Sequence, residues 1–236
     1  MGTREPFLGV LLLDGKMASA PGCMAAPASF PYPVVHRVVA GAKGPATEAD
    51  ARALEPAYVA AAQELAAAGA GAITDNCNGR MVHLQQALAS AVPVPVLTSA
   101  LLWVPTLHHL LPGKRIGILT FFAPDLGEWH YQACGWSSQD IPIAVAGVGE
   151  CQPWLDFLRT KELPADRQAA MARDLIAAAR QLQAQHPDLG ALVAECTLLP
   201  PCSQAVREAT GLPVYDLLTL LDFAMAGYRR PACVGA

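Results

Sequence analysis

The stretch GALVAECTLLPP, residues 190–201, joins an apolar run to a cysteine with polar neighbours. Ala191–Ala194 has the length and composition of a short buried strand. Glu195, Cys196 and Thr197 follow it directly, just before two prolines. The stretch therefore predicts a thiol at the point where a buried strand ends.

A second copy of this pattern lies upstream, in GAITDNCNG (residues 71–79), and cysteine stands six positions after glycine in both copies. PVLTSALL begins 18 residues after Cys77, and PVYDLLTL begins 17 residues after Cys196. LGVLLLD (residues 8–14) likewise has a counterpart in IGILTFF (residues 116–122). Three landmarks that recur in one order at near-equal spacing indicate two copies of one structural unit.

Strand and helix patterns alternate along the whole chain. The predicted strands cover residues 7–14, 70–74, 94–97, 115–120, 141–148, 190–195 and 214–215. The predicted helices cover residues 47–68, interrupted near Pro56, and 80–91, 101–111, 124–133, 164–186, 202–210 and 217–228. This order predicts an α/β fold of two pseudo-symmetric, flavodoxin-like lobes, each with a parallel sheet.

The composition of the 236-residue chain excludes several classes of protein. Hydrophobic residues make up 53% and charged residues 15%, which excludes a disordered chain. The net charge of −4, with no basic cluster larger than an Arg-Arg pair, excludes a nucleic-acid partner. Seven cysteines without a CxxC pair indicate free thiols in a reducing, cytoplasmic compartment. No apolar stretch reaches the roughly 18–20 residues of a membrane span, so no membrane partner is expected.

The two repeated cysteines predict a site between the lobes. Ligands of open parallel sheets bind beyond the carboxyl ends of the strands, where Cys77 and Cys196 stand. The free N–H groups of the helices that follow favour a thiolate and bind carboxylates. Lobes that face each other would place the thiols on opposite sides of one cleft. One thiolate could then take a proton from one face of a carbon while the other thiol returns a proton to the opposite face.

The chain resembles the aspartate/glutamate/hydantoin racemase superfamily over nearly its whole length. The segments that carry the resemblance are DNCNG, ECTLLPP, RIGILT, GLPVYDLLTLLDFA and ASFPYPVVHRVVAGA, the last typical of one Asp/Glu racemase-like branch. The resemblance implies a homo-oligomer of two-lobed chains that use no cofactor and hold the active site in the inter-lobe cleft. It also implies that the C-terminal segment returns to the first lobe, so that the lobes are residues 1–100 plus 215–236 and residues 101–214.

The resemblance also implies roles for individual residues. Cys77 and Cys196 match the two catalytic thiols, and Thr120 matches a threonine that contacts substrate. Asn78 and Thr197 match the residues that hold the substrate carboxylate. An amide and a hydroxyl suit that role because they are neutral donors that add no competing base.

Other polar residues near the strand ends complete the predicted site. The residues predicted to bind substrate are Asp14, Asn78, Gly79, Thr98, Ser99, Thr120 and Thr197. For Asp14, which could assist Cys77 or hold a substrate ammonium, the alternative is a simple Asp-Gly turn. For Thr98 and Ser99 the alternative is helix capping.

This chain departs from glutamate racemases beside the second cysteine. They carry a histidine where this chain has Leu198, so the polar residue expected near Cys196 is absent there. Glu195 is predicted to point away from the cleft, because neighbouring strand residues face opposite sides of a sheet. Arg80 could bind a second carboxylate, but a solvated helix charge is the favoured interpretation. These departures argue against glutamate as the substrate.

The remaining candidate motifs indicate no further site. The histidines lack the spacing of metal ligands and are interpreted as surface or capping residues. The four tryptophans are interpreted as core or interface residues. GAKGPAT and GAGA do not fit nucleotide-binding motifs, so neither a metal nor a nucleotide is expected.

The sequence thus predicts a racemase or epimerase that acts beside the carboxylate or carbonyl of a small Asp-, Glu- or hydantoin-type substrate. Two alternatives share the fold. In a maleate-type cis-trans isomerase a cysteine adds to a double bond, and in an arylmalonate-type decarboxylase one cysteine protonates an enediolate. Two retained cysteines argue against the one-cysteine decarboxylase. A non-catalytic binder of small molecules is the alternative from a different functional class.

Overall fold

Two four-stranded parallel sheets organise the chain. The computed structural model describes residues 5–45 and 47–229, apart from the side chains of Asn78 and Arg229. The first sheet contains β1 (Phe7–Leu12), β2 (Val34–Val38), β3 (Ala70–Asp75) and β4 (Val96–Leu97), in the order β2-β1-β3-β4. The second contains β5 (Arg115–Thr120), β6 (Ile143–Gly147), β7 (Leu189–Ala194) and β8 (Val214–Asp216), in the order β6-β5-β7-β8.

The two sheets have the same strand pairing and share a register shift at the equivalent position. Each has its first strand in chain order paired with the second and third strands, and every pair is parallel. The pairing between β1 and β3 skips Gly71, and the pairing between β5 and β7 skips Gly190. These are the glycines that begin the two copies of the sequence repeat. The predicted α/β fold of two equivalent lobes is confirmed.

Ten helices flank the strands in the described part of the chain. They are α1 (Glu48–Ala53), α2 (Glu55–Ala67), α3 (Asn78–Met81), α4 (Gln85–Ala91), α5 (Trp103–Leu110), α6 (Glu128–Ala133), α7 (Gln152–Thr160), α8 (Ala165–Gln185), α9 (Pro200–Thr210) and α10 (Leu217–Arg229). The Thr47 side chain caps α1, and the predicted break near Pro56 separates α1 from α2. Within the described residues, no helix is both long and apolar enough to cross a membrane.

Three hydrophobic clusters form around the sheets. The central cluster joins Leu8 of β1 to Ile116 of β5 and includes Trp103 of α5 and Leu221 of α10. The opposite faces of the same strands pack against the outer helices. They form one cluster with α2 and α4 and another with α7, α8 and α9. Because alternate strand residues point to opposite faces, each sheet is buried on both sides.

Two helices cross between the sheets. α5 follows β4 of the first sheet but packs on β5 and β7 of the second. α10 follows β8 of the second sheet but packs on β3 and β4 of the first. The C-terminal helix therefore returns to the first lobe. The lobe boundaries at residues 100 and 214 stay a prediction, β8 runs across the second of them, and residues 230–236 lie outside the described residues.

Two elements have no counterpart among the predicted strands and helices. β2 is an edge strand of the first sheet, and only two of its five residues are even partly buried. α7 is a nine-residue helix in which Trp154 and Phe157 are buried. Trp154, Phe157 and Leu158 have the spacing of an amphipathic helix, so α7 was predictable from the sequence, whereas the largely exposed β2 was not.

Equivalent glycines let helices approach both sheets closely. A Cβ atom on Gly117 of β5 would lie 2.7 Å from Cδ2 of Leu192 and 3.0 Å from Cδ2 of Leu182 on α8. A Cβ atom on Gly9 of β1 would lie 2.9 Å from Cδ1 of Leu65 on α2. The helix on the outer face of each lobe therefore depends on a strand residue without a side chain.

Replacing Gly117 by Ala should lower the free energy of unfolding by about 1–3 kcal/mol, because three leucines would have to move within a packed core. The control is Gly227→Ala in α10, where no atom lies within 4 Å of the added carbon. That change should be neutral or slightly stabilising, since alanine favours a helix over glycine. Urea unfolding of both variants checks the prediction, and equal stability of Gly117→Ala and the wild type would contradict it.

Candidate active site

The two thiols occupy equivalent places after the third strand of each sheet. Leu11 of β1 pairs with Asp75, the last residue of β3, and Leu119 of β5 pairs with Ala194, the last residue of β7. Two residues further on stand Cys77 and Cys196. Both strands thus deliver a cysteine at the carboxyl edge of a parallel sheet, where ligands of such sheets bind.

A cleft of about 780 Å³ lies between the lobes, and both thiols line it. The first lobe contributes Asp14, Cys77 and Gly79, and the second contributes Thr120 and Cys196. Both cysteines are free and half-buried. The cleft therefore brings together the two predicted catalytic residues, although their roles stay a prediction.

Both thiols are protonated in the free protein at neutral pH. Burial, followed by the charges of Asp75 and Glu195, raises the pKa of Cys77 to about 12. Burial and the charge of Glu195 also raise the pKa of Cys196. The backbone N–H groups of Arg80 and Leu198 oppose these effects, each by a hydrogen bond to one thiol. A positive charge placed beside the thiols would favour their thiolate forms.

Asp75 lies beneath Cys77 in the first lobe. Its side chain is completely buried, and its Oδ1 accepts a hydrogen bond of 2.7 Å from the backbone N–H of Cys77. Burial raises the pKa of Asp75 to about 7, although this hydrogen bond opposes the rise. The carboxyl group holds the turn that aims Cys77 into the cleft.

Glu195 lines the cleft, so the prediction that it points away is wrong. Thr120 donates a hydrogen bond of 2.8 Å from Oγ1 to Oε2 of Glu195, and burial raises the pKa of this carboxyl group to about 7. Alternation of side chains holds only along an extended strand, and β7 ends at Ala194. Because the chain bends at Cys196, Glu195 and Cys196 can both face the cleft.

Thr120 and Thr197 lie in the cleft as predicted for substrate contacts, and both are buried. Thr120 donates its hydroxyl proton to Glu195. Thr197 donates its own to the carbonyl oxygen of Asn76, at 3.1 Å, and so links the second lobe to the first. Both hydroxyls are therefore engaged with the protein in the free cleft.

The first-lobe candidates are arranged around Cys77. Asp14 lines the cleft and accepts a hydrogen bond of 2.8 Å from the backbone N–H of Gly41. Gly79 also lines the cleft, and its carbonyl oxygen faces Nε2 of His130 at 3.0 Å. Asn78 begins α3 directly after Cys77, but its side chain lies outside the described residues.

Thr98 and Ser99 are fully buried and are absent from the described lining of the cleft. Thr98 bonds to Oε1 of Gln85 through both its backbone N–H and its hydroxyl, at 2.9 and 2.8 Å. Ser99 caps the turn that begins at Ala100 by accepting the N–H of Leu101. The structure thus gives Ser99 the capping role named as the alternative, and it gives Thr98 a structural partner.

His130 and Trp129 line the cleft, although the sequence indicated only surface and core roles for such residues. The backbone N–H of Gly127 donates to Nδ1 of His130, so the proton lies on Nε2, which donates to the carbonyl oxygen of Gly79. Burial lowers the pKa of His130 to about 4. The histidine is therefore a neutral link between the lobes.

Lys161 is a cleft residue that no motif indicated. It ends α7 with φ 59° and ψ 20°, and among the described residues it is the one non-glycine with a positive φ. Glycine takes this conformation more readily, and Gly211 holds the equivalent position after α9. Burial lowers the pKa of Lys161, whereas the charges of Cys77 and Cys196 raise it. The sequence holds no signal that could have found it, because its place in the cleft follows from the left-handed end of α7.

Two ion pairs join the lobes at the rim of the cleft. Arg80 of α3 pairs with Asp125 at 3.0 Å, and its side chain is 42% exposed. Lys16, after β1, pairs with Glu162, after α7, at 3.1 Å. Arg80 is thus a partly exposed charge, as favoured, and it has a partner in the other lobe.

Within the described ranges, no group of three or more His, Cys, Asp and Glu side chains is arranged to hold a metal ion.

A family model described as Asp/Glu/hydantoin racemase matches residues 20–221, a span that includes both thiols. The chain belongs to the Asp/Glu/hydantoin racemase family. The resemblance carried by DNCNG and ECTLLPP is thereby confirmed.

Relatives of this racemase-family chain bear another name. A dimethylsulfoniopropionate lyase from Durusdinium sp. clade D is 29% identical over 232 residues, which is 95% of this chain and 76% of the relative. Further relatives of that name from Emiliania huxleyi are 26 to 29% identical. This chain spans 44 to 74% of their length.

Solved structures support the same fold. A glutamate racemase from Bacillus anthracis superposes with a TM-score of 0.63 and 12% identity, over 95% of this chain and 82% of the other. Unliganded arylmalonate decarboxylase superposes with a TM-score of 0.59 and 15% identity, over 98% and 94%. At these identities the likeness concerns the fold alone, which racemases and a decarboxylase share.

Leu198, where the resemblance to glutamate racemases led us to expect a histidine, is apolar and lines the cleft. The charged residues that act on the thiol of Cys196 are instead Glu195 and Lys161. A carboxyl group after β7 and an ammonium group after α7 thus lie near this thiol.

Glu195 should make stability depend on pH. Because its pKa is about 7 in the folded protein, against an ordinary value of 4.5, the folded state binds a proton that the unfolded state releases between these pH values. The free energy of unfolding should thus fall as pH rises from 4.5 to 7, by up to about 3 kcal/mol from this group. Asp75 acts in the same direction, for the same reason.

Glu195→Gln keeps the shape of the side chain and can still accept the hydrogen bond from Thr120. In this variant the free energy of unfolding should fall less as pH rises. Urea unfolding at pH 5, 6, 7 and 8 measures it, with Glu208→Gln at an exposed position as the control. An identical pH dependence in Glu195→Gln and wild type would show that the carboxyl group does not carry the effect.

Proposed function

We propose that this protein removes the proton on the carbon next to the carboxylate of a small substrate, with a thiolate of Cys77 or Cys196 as the base. We further propose that the reaction is an elimination of the kind that the dimethylsulfoniopropionate lyases among its relatives are named for. The observation that carries the proposal is the pair of half-buried thiols, one from each lobe, that line the same cleft.

The chemistry needs one base and one leaving group. Dimethylsulfoniopropionate carries a dimethylsulfonium group two carbons away from its carboxylate. The thiolate takes a proton from the carbon next to the carboxylate, and the electrons of that bond form a carbon–carbon double bond. The carbon–sulfur bond breaks and sulfur keeps its electrons. The products are acrylate, dimethyl sulfide and a protonated thiol, which returns its proton to solvent.

The charge of such a substrate suits the thiols. In the free cleft, burial and Glu195 keep both cysteines protonated. A permanent positive charge bound beside them lowers their pKa by direct attraction, so the base forms when the substrate is present. This coupling supports a positively charged substrate over a plain carboxylate.

The carboxylate end of the substrate needs a positive partner. Lys161 lines the cleft and interacts electrostatically with both thiols. Of the other cleft cations, Arg80 pairs with Asp125, and Lys43 lies 4.0 Å from Asp14. We assign Lys161 to the substrate carboxylate, where it would also stabilise the negative charge that develops when the proton leaves.

The symmetry of the site favours racemisation as a second candidate. Cys77 and Cys196 follow equivalent strands of two lobes that face each other, which suits a base on one face of a carbon and an acid on the other. Elimination needs one thiol in the chemical step, whereas racemisation needs both. The two reactions therefore differ in how single cysteine variants behave.

Incubation with dimethylsulfoniopropionate should yield acrylate and dimethyl sulfide, measured by proton NMR and gas chromatography. Replacing the cysteine that acts as the base by serine should lower kcat by about 10²–10⁴. Replacing the other cysteine by serine should lower kcat much less. Cys151→Ser, a half-buried cysteine outside the described cleft lining, is the control for thiol removal. Thermal unfolding of every variant shows that the fold is retained.

Other outcomes would replace this function by another. Hydrogen exchange of aspartate, glutamate or a hydantoin in D₂O that needs both thiols would establish the racemase. Decarboxylation of an arylmalonate or isomerisation of maleate would establish one of those reactions. A non-catalytic binder would show no reaction with any substrate. A ligand would still raise its Tm, and this stabilisation would persist in both serine variants.

Lys161→Met should raise KM about 10–100-fold, because a charged hydrogen bond to the carboxylate is lost. Lys161→Arg should retain most of the affinity. Lys161→Gly relieves the left-handed backbone, so its Tm should be unchanged or higher while KM rises as in the methionine variant. Arg159→Met, which removes a neighbouring exposed cation, is the control. An unchanged KM in Lys161→Met would contradict the assignment.

A further inference from the structure

Glu195 places a carboxyl group across the cleft between the two lobes. It comes from the end of β7 in the second lobe, and its Oε2 accepts the hydroxyl proton of Thr120 at 2.8 Å. A Cβ atom on Gly79 of the first lobe would lie 3.4 Å from Oε1, so the other oxygen rests against that lobe. The residue is only 2% exposed and lines the cleft with both thiols.

The position is unfavourable for a negative charge. An ionised Glu195 raises the pKa of Cys77, Cys196, Cys134 and Tyr131, all of which become negative when they lose a proton. It would also repel the carboxylate of a substrate. A positive charge brought beside a buried carboxylate is attracted strongly, because little water screens the two charges.

The wall of the cleft suits one kind of positive charge. Trp129 and Phe122 line it, and each is 38% exposed. Met17 and Met24 add two thioethers. A sulfonium or quaternary ammonium group has no N–H or O–H to donate, and it is bound by aromatic faces together with a carboxylate. Both features occur in this cleft.

We propose that Glu195 makes the cleft selective for substrates that carry a permanent positive charge, a sulfonium or quaternary ammonium group, near their carboxylate. The proposal rests on the proposed function in one respect, since it takes the substrate to be a small carboxylate. A bound cation offsets the charge of Glu195 and so removes its opposition to thiolate formation. A neutral substrate of the same shape gains no attraction from that charge and binds less tightly.

The ionisable groups around Glu195 differ widely in pKa. Cys77, Cys134 and Tyr131 have pKa values of about 12, Cys196 is raised as well, and His130 is lowered to about 4. Lys43, Arg80 and Lys161 are the lysine and arginine residues of the cleft lining. Between pH 6 and pH 8 the groups that change charge are Glu195 and, beneath Cys77, Asp75. Cation binding should therefore strengthen as pH rises through 7, since the ionised carboxylate is the form that binds.

Two ligands of one shape test the selectivity without turnover. Dimethylsulfonioacetate has no β-carbon and cannot undergo the elimination, and 3-methylbutanoate replaces its sulfur by a neutral carbon. Isothermal titration calorimetry at pH 6 and pH 8 compares their affinities. The wild type should bind the sulfonium at least tenfold more tightly at pH 8, and this preference should shrink at pH 6.

Glu195→Gln keeps the shape of the side chain and removes its charge. In this variant the preference should fall to within about threefold, and its dependence on pH should shrink to the part that Asp75 contributes. Glu208→Gln, at an exposed site, should behave as the wild type. Asp14→Asn tests the other carboxyl group of the cleft. The proposal is overturned if Glu195→Gln keeps the preference, or if Asp14→Asn is the variant that loses it.

Failure of this inference can be told apart from failure of the proposed function. If Glu195→Gln cleaves dimethylsulfoniopropionate with an unchanged KM, the lyase stands and the role of Glu195 is wrong. If the wild type prefers the sulfonium through Glu195 but leaves dimethylsulfoniopropionate intact, the cation selectivity stands and the elimination is wrong.

Discussion

The parallel pairing of β3 with β1, and of β7 with β5, sets the place of both thiols. Asp75 and Ala194 end the two strands at equivalent points of the register, and each cysteine follows two residues later. α5 and α10 pack between the sheets in one central core, so the lobes cannot separate without exposing apolar residues to water. The register within each sheet and the core between the sheets together hold the thiols in one cleft.

Burial then determines the electrostatics of that cleft. Two carboxyl groups, Asp75 and Glu195, and two thiols share a region with little water, and each is shifted towards its uncharged form. Uncharged groups keep the empty cleft stable, but they are poor bases. A bound charge changes this balance, because attraction is strong where water is excluded. Under the proposed function, the stability of the free protein and the reactivity of the thiols would depend on the same charges.

The sequence was informative wherever one local pattern decides the structure. The repeat around Cys77 and Cys196 predicted two equivalent lobes, and Thr47 and Pro56 predicted the start and the break of the first helical stretch. It was misleading where a pattern stops applying. Strand alternation placed Glu195 away from the cleft, yet the strand ends one residue earlier. Polar residues at a strand end suggested that Thr98 and Ser99 meet substrate, yet Gln85 and a local turn take their hydrogen bonds.

By itself, the sequence determined the family, the duplicated α/β architecture and the two cysteines at the strand ends, because these depend on periodicity and on short motifs read along the chain. The tertiary structure alone decided which other side chains surround the thiols. Lys161 and Glu195 enter the cleft through a left-handed helix end and a bend after a strand. Their burial arises from contacts between lobes that are far apart in the chain, and distances of that kind leave no local pattern in a sequence.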